Sequence, residues 1–172
     1  YQLGLHLDME PINKVGSSLG LGTRTGVDLP NEKSGLLIDS ATHERRNKRL
    51  GWKWARGLIL NLAIGQGELV TPLQLATMVG GVANGHEVMR PHLMQSVIDP
   101  ETNKIIRNST NNVLHKLTWS EQTIKTIHAA MDSVVNGTRG TGRSSKLPGI
   151  RVGGKTGSAE NPHGEKTHAL FV

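Results

Sequence analysis

The sequence predicts a mixed α/β (α+β) fold in which helices accompany antiparallel strands. Two segments carry apolar residues at helical spacing between recognisable end signals, and the segment between them has the pattern of a β-hairpin. A chain of 172 residues is long enough for one domain with a buried core. Apolar runs such as Leu58-Ile59-Leu60 exclude a disordered chain, although aromatic residues make up only 3% of it.

The two helices are marked by residues that cap their ends. Thr71-Pro72-Leu73-Gln74 places a hydroxyl before the first turn, proline at the first helical position and glutamine two residues later. This helix is expected to end at Asn84-Gly85. Thr118-Trp119-Ser120-Glu121 has the pattern of a second capping box, and Gly137 marks the end of the helix that follows it.

The remaining elements are strands and one ambiguous segment. Residues 92–98 and 104–106 predict the two strands of a hairpin, joined by a turn at residues 99–103. At the start of the chain, residues 3–7 alternate like a strand, whereas a helix could begin at Pro11 and run to Ser17. Both alternatives are compatible with the sequence.

The composition excludes several classes of site. A chain without cysteine has no disulfide framework, no thiolate zinc site and no cysteine nucleophile. The 8 histidines form no His-Glu-x-x-His pattern, so we predict neither a metal nor a cofactor. The formal net charge of +6 favours an anionic partner such as nucleic acid, anionic lipid or a cell-wall polymer.

The densest basic segment, residues 43–56, contains six lysines and arginines with Trp52 and Trp54 between them. Arginine beside aromatic residues is compatible with stacking on nucleic-acid bases. No known nucleic-acid-binding module surrounds the segment, so a solvated loop anchored by its two tryptophans is the better interpretation.

Two catalytic patterns match the sequence without their required context. Residues 149–156 fit the phosphate-loop pattern Gly-x-x-x-x-Gly-Lys-Thr, which needs a buried strand before it and a helix after it. Residues 144–148 are mostly polar, and Pro162 opposes a helix after Lys155. Residues 16–20 fit Gly-x-Ser-x-Gly, but no helix follows, so the glycine end of a helix is the better interpretation.

Lys155-Thr156-Gly157-Ser158 is interpreted instead as a β-strand. Its residues alternate between two faces, with Lys155 and Gly157 on one and Thr156 and Ser158 on the other. At a sheet edge, such a strand can pair with an extended peptide while its cation and hydroxyls hold a carboxylate. Residues 33–35 also match Lys-[Ser/Thr]-Gly, so the motif gains specificity only from its surroundings.

Those surroundings carry a family resemblance. The matching segments, in chain order, are YQLGL at 1–5, GVDLPNEKSGLL at 26–37, NLAIGQG at 61–67, TPLQLA at 71–76 and GGKTGSAE at 153–160. On these segments the chain resembles the transpeptidase domain of class B penicillin-binding proteins. The segment at residues 29–37 favours the elongation type, called penicillin-binding protein 2.

The resemblance implies the serine β-lactamase and penicillin-binding transpeptidase fold, an antiparallel sheet flanked by helices. It also implies a peptidoglycan DD-transpeptidase that works through an acyl-enzyme serine and binds β-lactams. The family motif Ser-x-x-Lys does not occur in the chain, and Ser109-Thr110-Asn111 matches Ser-x-Asn only as a string. We therefore expect residues 1–172 to be the C-terminal part of one transpeptidase domain, truncated at both ends and inactive alone.

By position, the resemblance makes Lys155 and Ser158 catalytic. Lys155 would supply positive potential and help proton transfer, and the Ser158 N–H would be an oxyanion-hole donor. The hydroxyls of Thr156 and Ser158 would bind the substrate or β-lactam carboxylate, and Gly157 would admit the substrate backbone. Gln66 would line the same cleft.

The resemblance also implies partners and a location. The ligands would be D-Ala-D-Ala stem peptides and β-lactams, and the partner would be a membrane glycosyltransferase of the elongation machinery that determines cell shape. The protein would be anchored in the cytoplasmic membrane with this domain in the periplasm, and it would not bind nucleic acid. The alternative, motivated by the missing Ser-x-x-Lys, is a non-catalytic basic binding or interaction module.

Overall fold

The structure is a computed structural model that describes residues 2–160, 164 and 166–172. The chain forms two compact units, one of Tyr1–Gly81 with Glu87–Leu117 and the other of Val82–His86 with Thr118–Val172. Among the described residues, no helix combines the length and the apolar character needed to cross a membrane.

Helices and strands alternate in blocks along the chain. The α-helices are α1 (Gln2–Leu7), α2 (Met9–Ser18), α3 (Ser40–Arg46), α4 (Ile59–Leu62), α5 (Pro72–Asn84) and α6 (Glu121–Asn136). The strands are β1 (Glu87–Met89), β2 (Ser96–Ile98), β3 (Ile105–Asn108), β4 (Val113–Lys116), β5 (Thr156–Ala159) and β6 (His168–Phe171). Within the described ranges the strands pair as β1 with β4, β2 with β3 and β5 with β6, and each pair is antiparallel.

The start of the chain is helical, so the strand alternative for residues 3–7 is wrong. A contact distant in sequence accompanies the helix. Gly4 is buried and packs directly against Ala63 at the end of α4, where a Cβ at Gly4 would overlap the Ala63 side chain. The Asp8 carboxylate accepts a hydrogen bond from the Met9 amide at 2.7 Å and thereby caps α2. The second helix thus begins earlier than the alternative that started it at Pro11.

Helix α5 confirms its predicted start and end, and its capping residue Gln74 also connects two loops. The backbone N–H of Gln74 donates to the Thr71 hydroxyl at 3.1 Å, and the side-chain Oε1 of Gln74 accepts from the backbone N–H of Thr71 at 2.9 Å. The Gln74 Nε2 donates to the carbonyls of Thr23 and Ser34. Since Gln74 is fully buried, the three hydrogen bonds of its Oε1 and Nε2 atoms satisfy a side chain that would otherwise be costly to bury.

The first Lys-Ser-Gly string is part of an irregular loop packed against α5 rather than a strand. Gly35 has a φ of +62°, which favours glycine. A Cβ at this position would meet the Leu69 carbonyl and the Gln74 side chain. The next residue, Leu36, exchanges backbone hydrogen bonds of 2.6 and 3.0 Å with Leu69. Residues 33–35 therefore serve packing in the first unit.

Carboxylates fix the loops of the motif at residues 26–37. The Glu32 carboxylate accepts hydrogen bonds from the amide and hydroxyl of Thr25 at 2.7 and 2.6 Å. Burial alone would raise the pKa of Glu32, but the hydrogen bonds outweigh it and the pKa lies below its usual value. The amides of Leu93 and Met94 each donate to Asp28 at 2.8 Å and lower its pKa as well.

The hairpin and the second long helix are also confirmed, with shifted boundaries: the hairpin strands are Ser96–Ile98 and Ile105–Asn108, against the predicted 92–98 and 104–106. Strands β2 and β3 form the hairpin, and Asn103 in its turn has a φ of +54°. Helix α6 is capped by Ser120 rather than Thr118, because the Ser120 Oγ accepts from the Thr123 amide at 3.1 Å. Gly137 follows the last residue of α6, as expected.

We predict that Gln74→Ala lowers the free energy of unfolding by roughly 2–4 kcal/mol, since it removes the side-chain half of the capping box and leaves the Thr71 N–H and the Thr23 and Ser34 carbonyls without this partner. The measurement is urea unfolding of the protein that contains the chain. Gln122→Ala, on the exposed side of α6, is the control and should change that free energy by less than about 0.5 kcal/mol. Equal effects of the two substitutions would contradict the role of Gln74.

Candidate functional site

The candidate site is built on β5, which β6 holds along one edge. Lys155, just before β5, exchanges backbone hydrogen bonds of 2.8 and 3.1 Å with Val172. The register then pairs Thr156 with Phe171, Gly157 with Leu170, Ser158 with Ala169 and Ala159 with His168. The prediction that Lys155-Thr156-Gly157-Ser158 is extended is therefore confirmed, and Lys155 does not begin a helix as a phosphate loop would require.

The register determines which backbone groups face away from β6. In an antiparallel ladder, pairs that exchange two hydrogen bonds alternate with pairs that exchange none. Because Lys155 and Val172 form a bonded pair, Gly157 also bonds to β6, whereas the N–H and C=O groups of Thr156 and Ser158 point to the opposite edge. Within the described residues β5 pairs with no second strand, so this opposite edge is open.

The side chains of the motif place a cation and hydroxyls beside the open edge. The Lys155 ammonium donates to the Thr156 carbonyl at 2.6 Å, which keeps the charge next to that edge. On the other face, the hydroxyls of Thr156 and Thr141 lie 2.8 Å apart. Ser158, exposed, lies on the same face as Thr156. Thr141 was not a candidate from the sequence, because nothing in the spacing of a loop residue indicates contact with a strand 15 positions later.

Two glycines of this segment serve different purposes. Gly154 is buried, and a Cβ there would overlap the Phe171 ring and lie 2.5 Å from the Val172 carbonyl. Gly157 is exposed, and a Cβ there would meet only the Leu170 Cβ, at 3.9 Å. Packing within the described part of the chain therefore requires glycine at 154 but not at 157. The open space at Gly157 is available to a ligand on β5.

Helix α6 positions the start of the strand. The Met131 carbonyl accepts a hydrogen bond from the Gly154 amide at 3.0 Å. The Asp132 carboxylate pairs with the Arg151 guanidinium at 2.7 Å, and this hydrogen bond lowers the pKa of Asp132. The side-chain amide of Asn136 donates a second hydrogen bond, of 2.9 Å, to the Val152 carbonyl. Gly153 lets the chain lie close to α6, because a Cβ there would come within 3.4 Å of the backbone of Met131 and Asp132.

Gln66, the remaining predicted site residue, belongs to the first unit. It lies in the turn after α4, half-buried, between Gly65 with a φ of +81° and Gly67 with a φ of +95°. The Gln66 amide donates to the Asn61 carbonyl at 2.9 Å. Glu68, two residues after Gln66, is partly buried. Burial raises its pKa, even though its carboxylate accepts a hydrogen bond from the Ile38 backbone amide.

The other patterns do not form sites in the described part of the chain. Residues 16–20 are the end of α2, with Gly20 at a φ of +84°, as the sequence predicts. Among residues 2–160, 164 and 166–172, no group of histidine and acidic side chains could hold a metal ion. Pro162, which entered the phosphate-loop argument, and His163, one of the 8 histidines, lie outside the described residues.

Comparison with known proteins identifies relatives of the whole chain. Residues 1–172 match the family described as the penicillin binding protein transpeptidase domain. The chain is 35% identical over 159 residues to stage V sporulation protein D of Bacillus subtilis, covering 92% of this chain and 22% of that protein. It is 31% identical over 163 residues to the peptidoglycan D,D-transpeptidase MrdA of Acinetobacter baumannii, covering 93% of this chain and 23% of that protein.

Solved structures confirm the predicted fold class. The chain superposes with a TM-score of 0.78 and 29% identity on penicillin-binding protein PBP2 in its complex with MreC from Helicobacter pylori. That match covers 99% of this chain and 30% of the PBP2 chain. The chain therefore spans less than a third of the length of these relatives.

Substitution by alanine should affect stability much more at Gly154 than at Gly157. We expect Gly154→Ala to lower the free energy of unfolding by about 1–3 kcal/mol, because the new methyl overlaps Phe171. Gly157→Ala should change it by less than about 1 kcal/mol. Urea unfolding of both variants tests the difference. A larger loss for Gly157→Ala would show that the space beside β5 is not free.

Glu68 predicts a pH dependence of stability. Because its pKa is higher in the folded than in the unfolded protein, the folded state binds more protons above about pH 4.3, the ordinary pKa of glutamate. The contribution of Glu68 to stability therefore falls as pH rises through this window. The melting temperature of Glu68→Gln relative to wild type should therefore rise between pH 4 and 7, whereas that of the exposed control Glu10→Gln should keep a constant difference from wild type. A wild-type slope in the Glu68 variant would contradict the assignment.

Proposed function

The chain belongs to the penicillin-binding protein transpeptidase domain family, and on that premise we propose that the protein containing it is a peptidoglycan DD-transpeptidase acylated by β-lactams. The observation that carries the proposal is the open edge of β5, where the Ser158 N–H and the Lys155 ammonium lie beside unoccupied space at Gly157. The name of the MrdA relative, a peptidoglycan D,D-transpeptidase, supports the same activity.

The reaction requires a serine nucleophile, which the family carries in Ser-x-x-Lys. Its hydroxyl oxygen bonds to the carbonyl carbon of the penultimate D-Ala, and the amide bond to the terminal D-Ala breaks. The terminal D-Ala leaves with a proton on its amine. An amine from a second stem peptide then attacks the ester, forms the cross-link and returns the proton to the serine. The pattern Ser-x-x-Lys does not occur in these 172 residues, so the proposal requires it elsewhere in the protein.

The backbone of β5 would stabilise the acyl donor. A stem peptide lying antiparallel to the open edge can form hydrogen bonds with the N–H and C=O groups that face away from β6. The Ser158 N–H would then donate to the oxyanion of the tetrahedral intermediate. Gly157 admits the peptide because a side chain there would occupy the space into which the donor must move.

The side chains would recognise the negative charge of the donor. The terminal carboxylate of the stem peptide, or the carboxylate of a β-lactam, would accept hydrogen bonds from the hydroxyls of Thr156 and Ser158. Thr141 orients the Thr156 hydroxyl through the 2.8 Å contact. Lys155 would add positive potential and assist proton transfer. The family resemblance, rather than a contact in the structure, supports Gln66 as a further substrate-binding residue.

The family also suggests where the protein works. We propose that it is anchored in the cytoplasmic membrane with this domain in the periplasm, and that a membrane glycosyltransferase of the elongation machinery is its partner. The relative from Helicobacter pylori forms a complex with MreC, which supports a comparable assembly for this protein.

Labelling with fluorescent penicillin tests the proposal. The full-length protein should become labelled, whereas residues 1–172 alone should not. Ser158→Pro removes the proposed oxyanion donor without removing a β5–β6 hydrogen bond, so we expect acylation to slow by about 10²–10³-fold. Ser158→Ala keeps that N–H and loses only the hydroxyl, so it should slow acylation by about threefold to tenfold.

The melting temperature of each variant serves as the control for folding. Equal rates for Ser158→Pro and Ser158→Ala would contradict the role of the Ser158 N–H. A folded full-length protein that stays unlabelled would reject the transpeptidase and favour the non-catalytic basic binding module.

A further inference from the structure

The basic segment that the acyl-transfer site does not use forms a defined surface loop. We call residues 47–54 the tryptophan loop. No aspartate or glutamate occurs between residues 45 and 56. The cations of this stretch are Arg45, Arg46, Lys48, Arg49, Lys53 and Arg56. Such a density of one charge creates a local positive potential on the first unit.

The base of the tryptophan loop is fixed. The rings of His43 and Trp54 meet edge to face, with centroids 5.5 Å apart. The Trp54 amide donates to the Glu44 carboxylate at 3.3 Å, and the Asn47 side chain donates to the His43 carbonyl at 2.9 Å. The two contacts of Trp54, with His43 and Glu44, join the ends of the loop, so its tip projects from a closed base.

The tip exposes apolar side chains instead of burying them. Gly51 turns the chain with a φ of +64°, and the side chains on either side of it, Leu50 and Trp52, are 63% and 59% exposed. Trp54 is half-buried, so only one of the two tryptophans anchors the loop, contrary to the interpretation of the sequence. An indole held in solvent on a fixed loop is available to a ligand.

The cations at the tip have no acidic partner within the described residues. No carboxylate there lies within 4.0 Å of the charged groups of Lys48, Arg49 or Lys53. All three are exposed. Their charges are therefore not neutralised within the described part of the protein and remain available to an anionic ligand.

We infer that the tryptophan loop binds peptidoglycan strands through residues other than those of the strand that carries Lys155. The exposed face of Trp52 would stack on the C–H face of a sugar ring, and Lys48, Arg49 and Lys53 would pair with carboxylates of uncrosslinked stem peptides. This inference rests on the proposed function, because that function makes an anionic glycopeptide polymer the substrate. The loop would hold the polymer while the acyl transfer occurs on one of its stem peptides.

The alternatives fit the tip less well. Proteins that bind single-stranded nucleic acid stack successive bases on several aromatic rings, whereas this tip exposes one indole. A segment that lies in a membrane surface needs a broad apolar face, and the described tip offers only Leu50 and Trp52. A sugar polymer with regularly spaced carboxylates needs one ring platform and several cations.

Co-sedimentation with purified peptidoglycan sacculi tests the inference, using the full-length protein. One variant is Trp52→Ala, and Trp52→Phe keeps an aromatic face. A second variant replaces the tip cations Lys48, Arg49 and Lys53 by glutamine. Its matched control replaces three exposed lysines of the same unit, Lys14, Lys104 and Lys116, by glutamine and so removes the same charge.

We expect the tip triple variant to bind sacculi roughly tenfold more weakly and the control triple to bind within about twofold of wild type. Trp52→Ala should weaken binding about fivefold, and Trp52→Phe should restore most of it. Added salt should weaken wild-type binding and leave the tip triple variant little changed. All variants should keep the wild-type rate of fluorescent penicillin labelling.

Equal losses in the two triple variants would overturn the inference, because binding would then follow net charge alone. Binding that depends on the loop but goes to anionic lipid vesicles or single-stranded DNA, and not to sacculi, would overturn it as well. Failure of the proposed function has a different signature, since the wild-type protein would stay unlabelled by penicillin whatever the loop binds.

Discussion

Lys155 and Val172 exchange two backbone hydrogen bonds, and this pair sets the register of the ladder formed by β5 and β6. The register turns the Ser158 N–H away from β6, and it places Gly157 where a ligand strand would approach. An open strand edge is a hazard for aggregation, which short length and a flanking lysine reduce. β5 has both features, since it is 4 residues long and follows Lys155.

The packing around this pair is tight at Gly154 and leaves room at Gly157. Gly154 lies against Phe171, and its amide bonds to the Met131 carbonyl of α6. The Asp132–Arg151 pair joins α6 to the chain three residues before Gly154. Because the pKa of Asp132 is lowered, this pair supports the folded state above the ordinary pKa of aspartate, and its contribution is lost only as pH falls through the lowered value.

Local signals account for what the sequence predicts correctly, and distant contacts account for the rest. The caps of α5 and the turn of the hairpin depend on neighbouring residues, so their patterns indicate them directly. The helix at the start of the chain packs through Gly4 against Ala63, and the Thr156 hydroxyl is positioned by its hydrogen bond with the Thr141 hydroxyl. Spacing alone reveals neither contact. It also does not distinguish Gly154, which packing requires, from Gly157, which it does not.

The orientation of the Ser158 amide is the most direct test of this account. Residue-resolved hydrogen exchange of the full-length protein would compare the amides of Ser158 and Gly157 before and after reaction with penicillin. We predict rapid exchange at Ser158 in the free protein and slow exchange after acylation, while Gly157 stays slow in both states because it bonds to β6. A Ser158 amide that is already protected in the free protein, or that still exchanges rapidly when the acyl group is bound, would contradict the proposed site.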